Sequence, residues 1–160
     1  MSSTRSSAGK FLSFTLGTEA YALEIMKVKE ITANTDVTHV PNVPDYFRGV
    51  INLHGSILPV IDLRKKFGLP FAEDTPQTCI IVVQHDRGGV SRVVGLVVDS
   101  VSEFVDLSNE DIEATPNFGA GIDTRFIRAM AKRDGLVITL LDVDNVLADA
   151  EIETETSEAA

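Results

Sequence analysis

The sequence predicts a mainly β protein composed of two small antiparallel β-barrels that pack together. Three observations support this prediction: short runs in which apolar and polar residues alternate, glycine-containing turn signals between the runs, and an internal repeat. The long helical patterns that connect parallel strands are missing from the sequence, which excludes a purely α/β fold. With 160 residues, the chain has the length of one ordinary domain or of two small fused ones.

The internal repeat consists of three blocks that recur in the same order. The matched blocks are Phe11–Leu16 with Cys79–Gln84, Ala22–Ile31 with Gly95–Phe104, and Phe47–Phe67 with Ile127–Leu147. The distance along the chain between matched blocks increases twice, as a longer hairpin and a longer loop in the second copy would cause. Chance agreement between alternating strands is the alternative explanation. The ordered matches include Arg, Gly and Asp as well as apolar residues, which favours duplication.

Local signals predict a strand and a hairpin early in the two copies. Tyr21, Leu23 and Ile25 alternate with other residues and predict one face of a strand in the first copy. In the second copy, Asp86–Gly89 lies between two β-branched runs and predicts a hairpin turn, because glycine readily adopts positive φ.

The third block of each copy carries a turn followed by a short helix. His54-Gly55 and Asp134-Gly135 predict the two corresponding turns. Asp62 and Asp142 each precede a short stretch of helical periodicity, so each is interpreted as an N-cap.

The chain is expected to form one domain with two flexible ends. The polar segment 1–10 and the acidic segment 149–160 carry too few apolar residues to fold. The domain spans 11–148, with a first subdomain over about 11–71 and a second over about 72–148. Exchange of a strand near these boundaries is left open.

Composition excludes several functional classes. The net charge of −10 would repel nucleic acid and anionic lipid surfaces, so neither is expected as a partner. The apolar runs are far too short to cross a bilayer, and the N-terminus has no apolar segment typical of a secretion signal. The single cysteine, Cys79, lies in an apolar run and predicts a buried thiol in a reducing cytoplasm.

The sequence predicts no enzyme, no cofactor and no metal site. His39, His54 and His85 lie in separate segments and are interpreted as surface or turn histidines. Gly119-Ala120-Gly121 lacks the strand and the third glycine of a dinucleotide-binding loop, and no P-loop motif occurs. A catalytic pair of Asp62 and Asp142 is the alternative, but the capping role already explains both positions.

Several joined motifs resemble the CheW family. They are Val40–Pro44, Phe47–Gly55 and Leu58–Arg64, together with Tyr21–Ile31, Val94–Asp99, Val101–Glu103 and Pro116–Gly119. The resemblance covers nearly all of 11–147 and implies a fold of two five-stranded, SH3-like barrels with short helices. It also implies a free-standing adaptor, because the chain has no receiver or histidine-kinase domain.

The resemblance implies partners and a binding surface. Members of the family link the cytoplasmic tips of methyl-accepting chemoreceptors to the regulatory domain of the CheA histidine kinase. By family position, five residues fall in the region of receptor and kinase contact: Val28, Glu30, Gly49, His54 and Gly55. Phe118 matches an aromatic position where a second kinase domain closes a ring. Ordinary structural roles are the alternative for Val28, a core residue, and for Gly49 and Gly55, which would serve backbone geometry.

Two positions depart from the family pattern. His54 stands where the family usually has arginine, which replaces a permanent charge by a group that titrates near neutral pH. Glu113 stands near the second kinase contact, where some relatives carry a basic residue. Two other functions stay open: an adaptor in a receptor–kinase pathway other than swimming, and a small β-barrel enzyme with a site assembled from His54, Asp62 and Glu30.

Overall fold

A computed structural model describes residues 8–70, 73–114 and 125–148 of the chain. The strands are β1 (Gly9–Leu16), β2 (Glu19–Glu24), β3 (Val28–Ala33), β4 (Phe47–Leu53), β5 (Ser56–Asp62), β6 (Cys79–Arg87), β7 (Val90–Val98), β8 (Ser100–Leu107), β9 (Ile112–Glu113), β10 (Ile127–Arg133) and β11 (Leu136–Leu141). The helices are α1 (Leu63–Lys66) and α2 (Val143–Val146), with 3-10 turns at Ile25–Lys27 and Asn109–Asp111. The predicted mainly β class is confirmed.

The strands form two sheets. The six-stranded sheet has the order β8-β1-β2-β11-β10-β9, and the five-stranded sheet has the order β3-β6-β7-β5-β4. Neighbouring strands are antiparallel except for β2 with β11 and β5 with β7, which are parallel. Each sheet therefore consists of two groups of antiparallel strands that are joined by one parallel pair. The parallel pairs, β2 with β11 and β5 with β7, are equivalent in the two copies of the repeat.

The turns and caps predicted from the third blocks are confirmed. His54 and Gly55 have φ values of 54° and 85°, and Asp134 and Gly135 have φ values of 56° and 78°. Two consecutive residues at positive φ make the tight turn whose twist matches that of a β-hairpin. The two helices begin in the same way, because the side chains of their N-cap residues accept backbone N–H groups. The acceptors are Asp62, from Arg64, and Asp142, from Asn145.

The sheets divide the chain differently from the two halves of the repeat. The five-stranded sheet takes every strand from β3 to β7, whereas the six-stranded sheet combines β1 and β2 with β8 to β11. A boundary at residues 71 and 72 therefore separates the copies of the repeat and not the sheets. The exchange that was left open involves the whole N-terminal hairpin of each copy.

Linker length explains the exchange. The positions next to β1 and β6 are taken by the third strand of the opposite copy, antiparallel to the strand it joins. If β3 took the place next to β1, it would run parallel to β2 and would need a crossover of about a dozen residues. Only Ile25–Lys27 connects β2 to β3, and only Asp99 connects β7 to β8. Each third strand must therefore continue into the other sheet.

Apolar side chains fill three cores. The largest lies between the two sheets. Each sheet also carries one smaller core on its other face. In β6, Ile81 and Val83 belong to the core between the sheets, whereas Ile80 and Val82 belong to the core of the five-stranded sheet. Burial on both faces explains why β6 is a continuous apolar run instead of an alternating one.

Candidate functional site

The candidate surface lies where the two edges of the five-stranded sheet approach each other. Glu30 lies on β3 at one edge, and His54 lies in the turn that follows β4 at the other edge. The Nε2 atom of His54 is 3.1 Å from Oε1 and 3.2 Å from Oε2 of Glu30. The contact requires strong curvature of the sheet, because three strands separate β3 from β4 in the hydrogen-bonding order.

A short backbone contact next to this pair explains Gly49. Thr38 and Val50 exchange two backbone hydrogen bonds of 2.9 Å, so the chain beyond β3 pairs with β4. Gly49 is buried with φ of 146°, and a Cβ atom there would overlap the carbonyl group of Thr38. The backbone of the described structure therefore restricts this position to glycine.

Val28 and Gly55 take different positions around the pair. Val28 is partly buried and packs against the core between the sheets, which agrees with the structural alternative for this residue. Gly55 is exposed in the turn, and its N–H donates to the side-chain oxygen of Asn52. A Cβ atom at Gly55 would meet nothing within 4 Å, so only its positive φ restricts this position.

The remaining two site residues lie elsewhere. Glu113 lies on β9 in the six-stranded sheet, where it forms an ion pair with Lys132. The hydrogen bond from Lys132 to Glu113 raises the pKa of the lysine, so the carboxylate is compensated locally. Phe118 lies outside the described residues.

A cluster of charged side chains under the five-stranded sheet was missed by sequence reasoning. Arg48 lies 3.1 Å from Asp62 and 3.0 Å from Asp74, and Arg64 lies 3.1 Å from Asp74 and 2.9 Å from Asp99. Asp62 and Arg64 are almost fully buried. The hydrogen bonds from Arg48 are the main cause that lowers the pKa of Asp74, and the same hydrogen bond raises the pKa of Arg48.

This cluster removes the enzyme site considered above. Asp62 accepts hydrogen bonds from the side chains of Arg48 and Arg64 and from the backbone at the start of α1. A buried carboxylate with this many donors is committed to structure. The signal in the sequence was the match of Arg48 with Arg128, but nothing along the chain indicated the partners of Arg48.

The interpretation of His85 as a surface or turn histidine is wrong. His85 is 1% exposed, and its Nδ1 atom lies 3.1 Å from Oδ1 of Asp144. The same carboxylate lies 3.1 Å from Nζ of Lys27, so the contact joins the two sheets. Hydrogen bonds from His85 and Lys27 lower the pKa of Asp144 against the opposing effect of burial. The position of His85 in a strand that is apolar on both faces was the signal that could have identified it.

Residues 8–70, 73–114 and 125–148 contain neither a metal-binding group nor a membrane-spanning helix. There, the side chains of His, Cys, Asp and Glu form no group of three or more that could hold a metal ion. No helix in these ranges has the length and apolar character needed to cross a bilayer. Cys79 is partly buried, and burial raises the pKa of its thiol.

Exposed apolar side chains accompany both hairpin turns. Ile57 follows the first turn and is 74% exposed, and its counterpart Val137 follows the second turn and is 54% exposed. Ile31, next to Glu30, is also exposed. The two copies of the third block therefore expose a large apolar side chain at the same position.

Comparisons with known proteins agree with the mainly β fold and identify the family. Residues 10–151 match the family described as the CheW-like domain. The "Chemotaxis protein CheW" of Klebsiella aerogenes is 37% identical over 143 residues, which cover 89% of this chain and 84% of that protein. The "Chemotaxis protein CheW" of Rhizobium meliloti is 37% identical over 144 residues, covering 90% of each chain.

A solved structure has the same architecture. The scaffolding protein TtCheW from Thermoanaerobacter tengcongensis superposes with a TM-score of 0.77 at 34% identity. The match covers 88% of this chain and 92% of that protein.

Proposed function

Since the chain belongs to the family of CheW-like domains, we propose that it couples chemoreceptors to the CheA histidine kinase in bacterial chemotaxis. It is an adaptor and scaffold of chemotaxis signalling and has no enzymatic activity of its own. Its partners are the cytoplasmic tips of methyl-accepting receptors and the regulatory domain of CheA. The protein works in the cytoplasm and reaches the membrane only through these receptors.

The contact between Glu30 and His54 is the observation that carries the assignment of a receptor surface. It brings together two site residues from opposite edges of a sheet, on an exposed surface. Ile31 and Ile57 lie within three residues of the pair along the chain and expose apolar surface. Exposed apolar side chains and a polar pair would supply the two kinds of contact that the face of a helical receptor hairpin offers. Val28 and Gly49 support this surface from the interior, and Gly55 supports it by forming the turn that presents His54.

The second half of the chain is assigned to the kinase ring. Glu113 and Phe118 belong to this contact, and the exposed Val137 gives the second hairpin an apolar position that matches Ile57. Two related surfaces on one chain are what a scaffold needs, because it must hold two partners at the same time.

We also propose that each sheet is an SH3-like barrel of five main strands within one domain over 11–148. In the five-stranded sheet, the Thr38–Val50 bridge and the Glu30–His54 contact support closure between the edges. In the six-stranded sheet, the two residues of β9 pair with β10 at the equivalent place, which leaves five long strands.

A charge-removal experiment tests the receptor surface. Glu30→Gln should weaken binding of a purified receptor-tip fragment severalfold, because the negative charge at the surface is lost. Glu113→Gln is the matched control: it removes the same charge from the other sheet and should leave receptor binding unchanged. Calorimetry with both variants measures the difference. Equal losses in the two variants, or no binding by the wild-type protein, would contradict the proposal.

The kinase surface has its own test. Phe118→Ala should leave folding and the binary complex with the CheA regulatory domain intact, but weaken assembly into larger arrays. Sedimentation of receptor–kinase–adaptor mixtures measures the array. A variant that fails to fold would show that the ring belongs to the core.

A pathway other than swimming is the second candidate, because the fold does not specify the output of the pathway. Pull-down of the kinase from the native cell distinguishes the two. Recovery of a chemotaxis CheA supports the first candidate, and recovery of a different receptor-linked kinase supports the second.

A further inference from the structure

Asp74 accepts more side-chain hydrogen bonds than its place in a loop would require. It lies between α1 and β6, and its carboxylate accepts a 2.8 Å hydrogen bond from Asn34. Arg48 donates to both oxygens at 3.0 and 3.1 Å, and Arg64 donates at 3.1 Å. Two-oxygen contacts between arginine and a carboxylate are strong and fix the orientation of both groups.

The donors come from both edges of the five-stranded sheet. Asn34 directly follows β3, and Arg48 lies in β4. Along these edges, Glu30 contacts His54 at one end, whereas Asn34 and Arg48 are joined through Asp74 at the other. The two edges therefore approach each other at both ends, and the contacts at the ends are made by side chains.

We propose that Asp74 is a positioning residue of the binding surface: by joining Asn34 to Arg48, it holds the two sheet edges together and keeps Glu30 within reach of His54. The contacts of Asp74 with Asn34 and Arg48 are enough to support its role in positioning the sheet edges. Its effect on receptor binding rests on the function proposed above.

The difference in burial between the two ends supports this role. The His54 side chain is 74% exposed, and a polar contact this open to water contributes little to holding two segments together. The Arg48 side chain is 21% exposed and the Arg64 side chain is 5% exposed, so their contacts with Asp74 are partly shielded from water. The lowered pKa of Asp74 keeps its charge present throughout the physiological range.

Amide hydrogen exchange tests the positioning directly. In Asp74→Asn, the amides of Thr38 and Val50 should exchange roughly tenfold faster, because their hydrogen bonds join the two edges. The amides of Ala22 and Leu140 in the other sheet should keep their rates. Asp45→Asn is the matched control, because Asp45 is highly exposed and has only a 3.8 Å contact with Lys65.

The outcomes separate positioning from general stability. Faster exchange at Thr38 and Val50 alone supports the proposal. Unchanged exchange at these amides, or an equal increase in both sheets, overturns it. Asp74→Ala provides a second variant that removes the Asp74 acceptor from Asn34 and Arg48 altogether and should show the same local pattern to a larger extent.

A double-mutant cycle tests the consequence for binding. Asp74→Asn should weaken binding of the receptor-tip fragment severalfold, and adding it to Glu30→Gln should cause little further loss, since Asp74 acts through Glu30. Additive losses would overturn this link. If the wild-type protein does not bind the fragment, the proposed function fails, and the exchange rates still decide the positioning role.

Discussion

The turns after β4 and β10 have the same backbone conformation but different surroundings. Both place a non-glycine residue and then a glycine at positive φ. His54 contacts Glu30 across the gap between the sheet edges, whereas the matched positions in the other sheet, Asp134 and Glu103, are both acidic. There the approach to β8 is made by Arg133, which donates to the carbonyl oxygen of Asp106.

The difference shows what duplication allows in a scaffold. The hairpin, the turn and the capped helix are preserved in both copies because each depends on local backbone requirements. The side chains around the two turns differ in charge. The two copies of the repeat therefore present different electrostatic surfaces there. Different charges at equivalent surfaces favour different partners.

The largest effect is expected at Gly49, where the backbone approaches Thr38 closely. Gly49→Ala should destabilise the fold by about 3 kcal/mol, because the new Cβ would overlap the Thr38 carbonyl and φ is unfavourable. The repeat places Ala129 at the matched position, where Ala129→Gly should cost only about 1 kcal/mol. Urea denaturation of both variants measures the contrast. Similar losses at both positions would show that the close approach to Thr38 does not set the cost at Gly49.

The matched arginines provide a second contrast. Arg48→Met should cost about 2 kcal/mol, because it removes a partner of the buried Asp62 while Arg64 remains. Arg128→Met should cost about 1 kcal/mol, since its partner Glu24 is more accessible to water than Asp62. Thermal and urea unfolding would contradict this prediction if Arg128→Met were the more damaging change.

Acid should weaken the fold through Asp74. Its pKa is lower in the folded protein than in the unfolded chain, so its contribution is complete above about pH 4 and is lost as the pH falls further. Asp74→Asn should therefore reduce the loss of stability between about pH 4 and pH 2. Asp111→Asn should reduce it less, although the hydrogen bond from the backbone of Ser108 also lowers the pKa of Asp111, because Asp111 is bound only within its own local turn. Equal slopes for wild type and Asp74→Asn would contradict the assignment.

Local features of the fold could be predicted from the sequence, but the division into sheets could not. His54-Gly55 and Asp62 carry their signals within two or three residues, because turn and cap geometry is local. The assignment of β3 to a sheet depends on a partner about fifty residues away. The short linker at Ile25–Lys27 explains why β3 joins the other sheet, but this explanation requires that the strand order is already known.

The site shows the same limit. Family resemblance identified Glu30 and His54, and the structure brings them together, but neither periodicity nor spacing indicated that they touch. Asp74 was missed because an acidic residue in a polar loop is usually solvated. His85 was misinterpreted because histidine is common at surfaces, and its burial depends on packing between the sheets.

The smallest change in stability, but a clear change in binding, is expected at the turn after β4. His54→Arg replaces an imidazole with a permanently charged guanidinium, a larger fork of donors that can still reach Glu30. The affinity for the receptor-tip fragment should change severalfold, because the charge and the donor geometry of the surface both change. Asp134→Arg makes the corresponding change at the matched turn of the other sheet and should leave receptor affinity unchanged. Calorimetry with both variants measures the contrast. If His54→Arg binds the fragment with wild-type affinity, His54 takes no part in receptor binding.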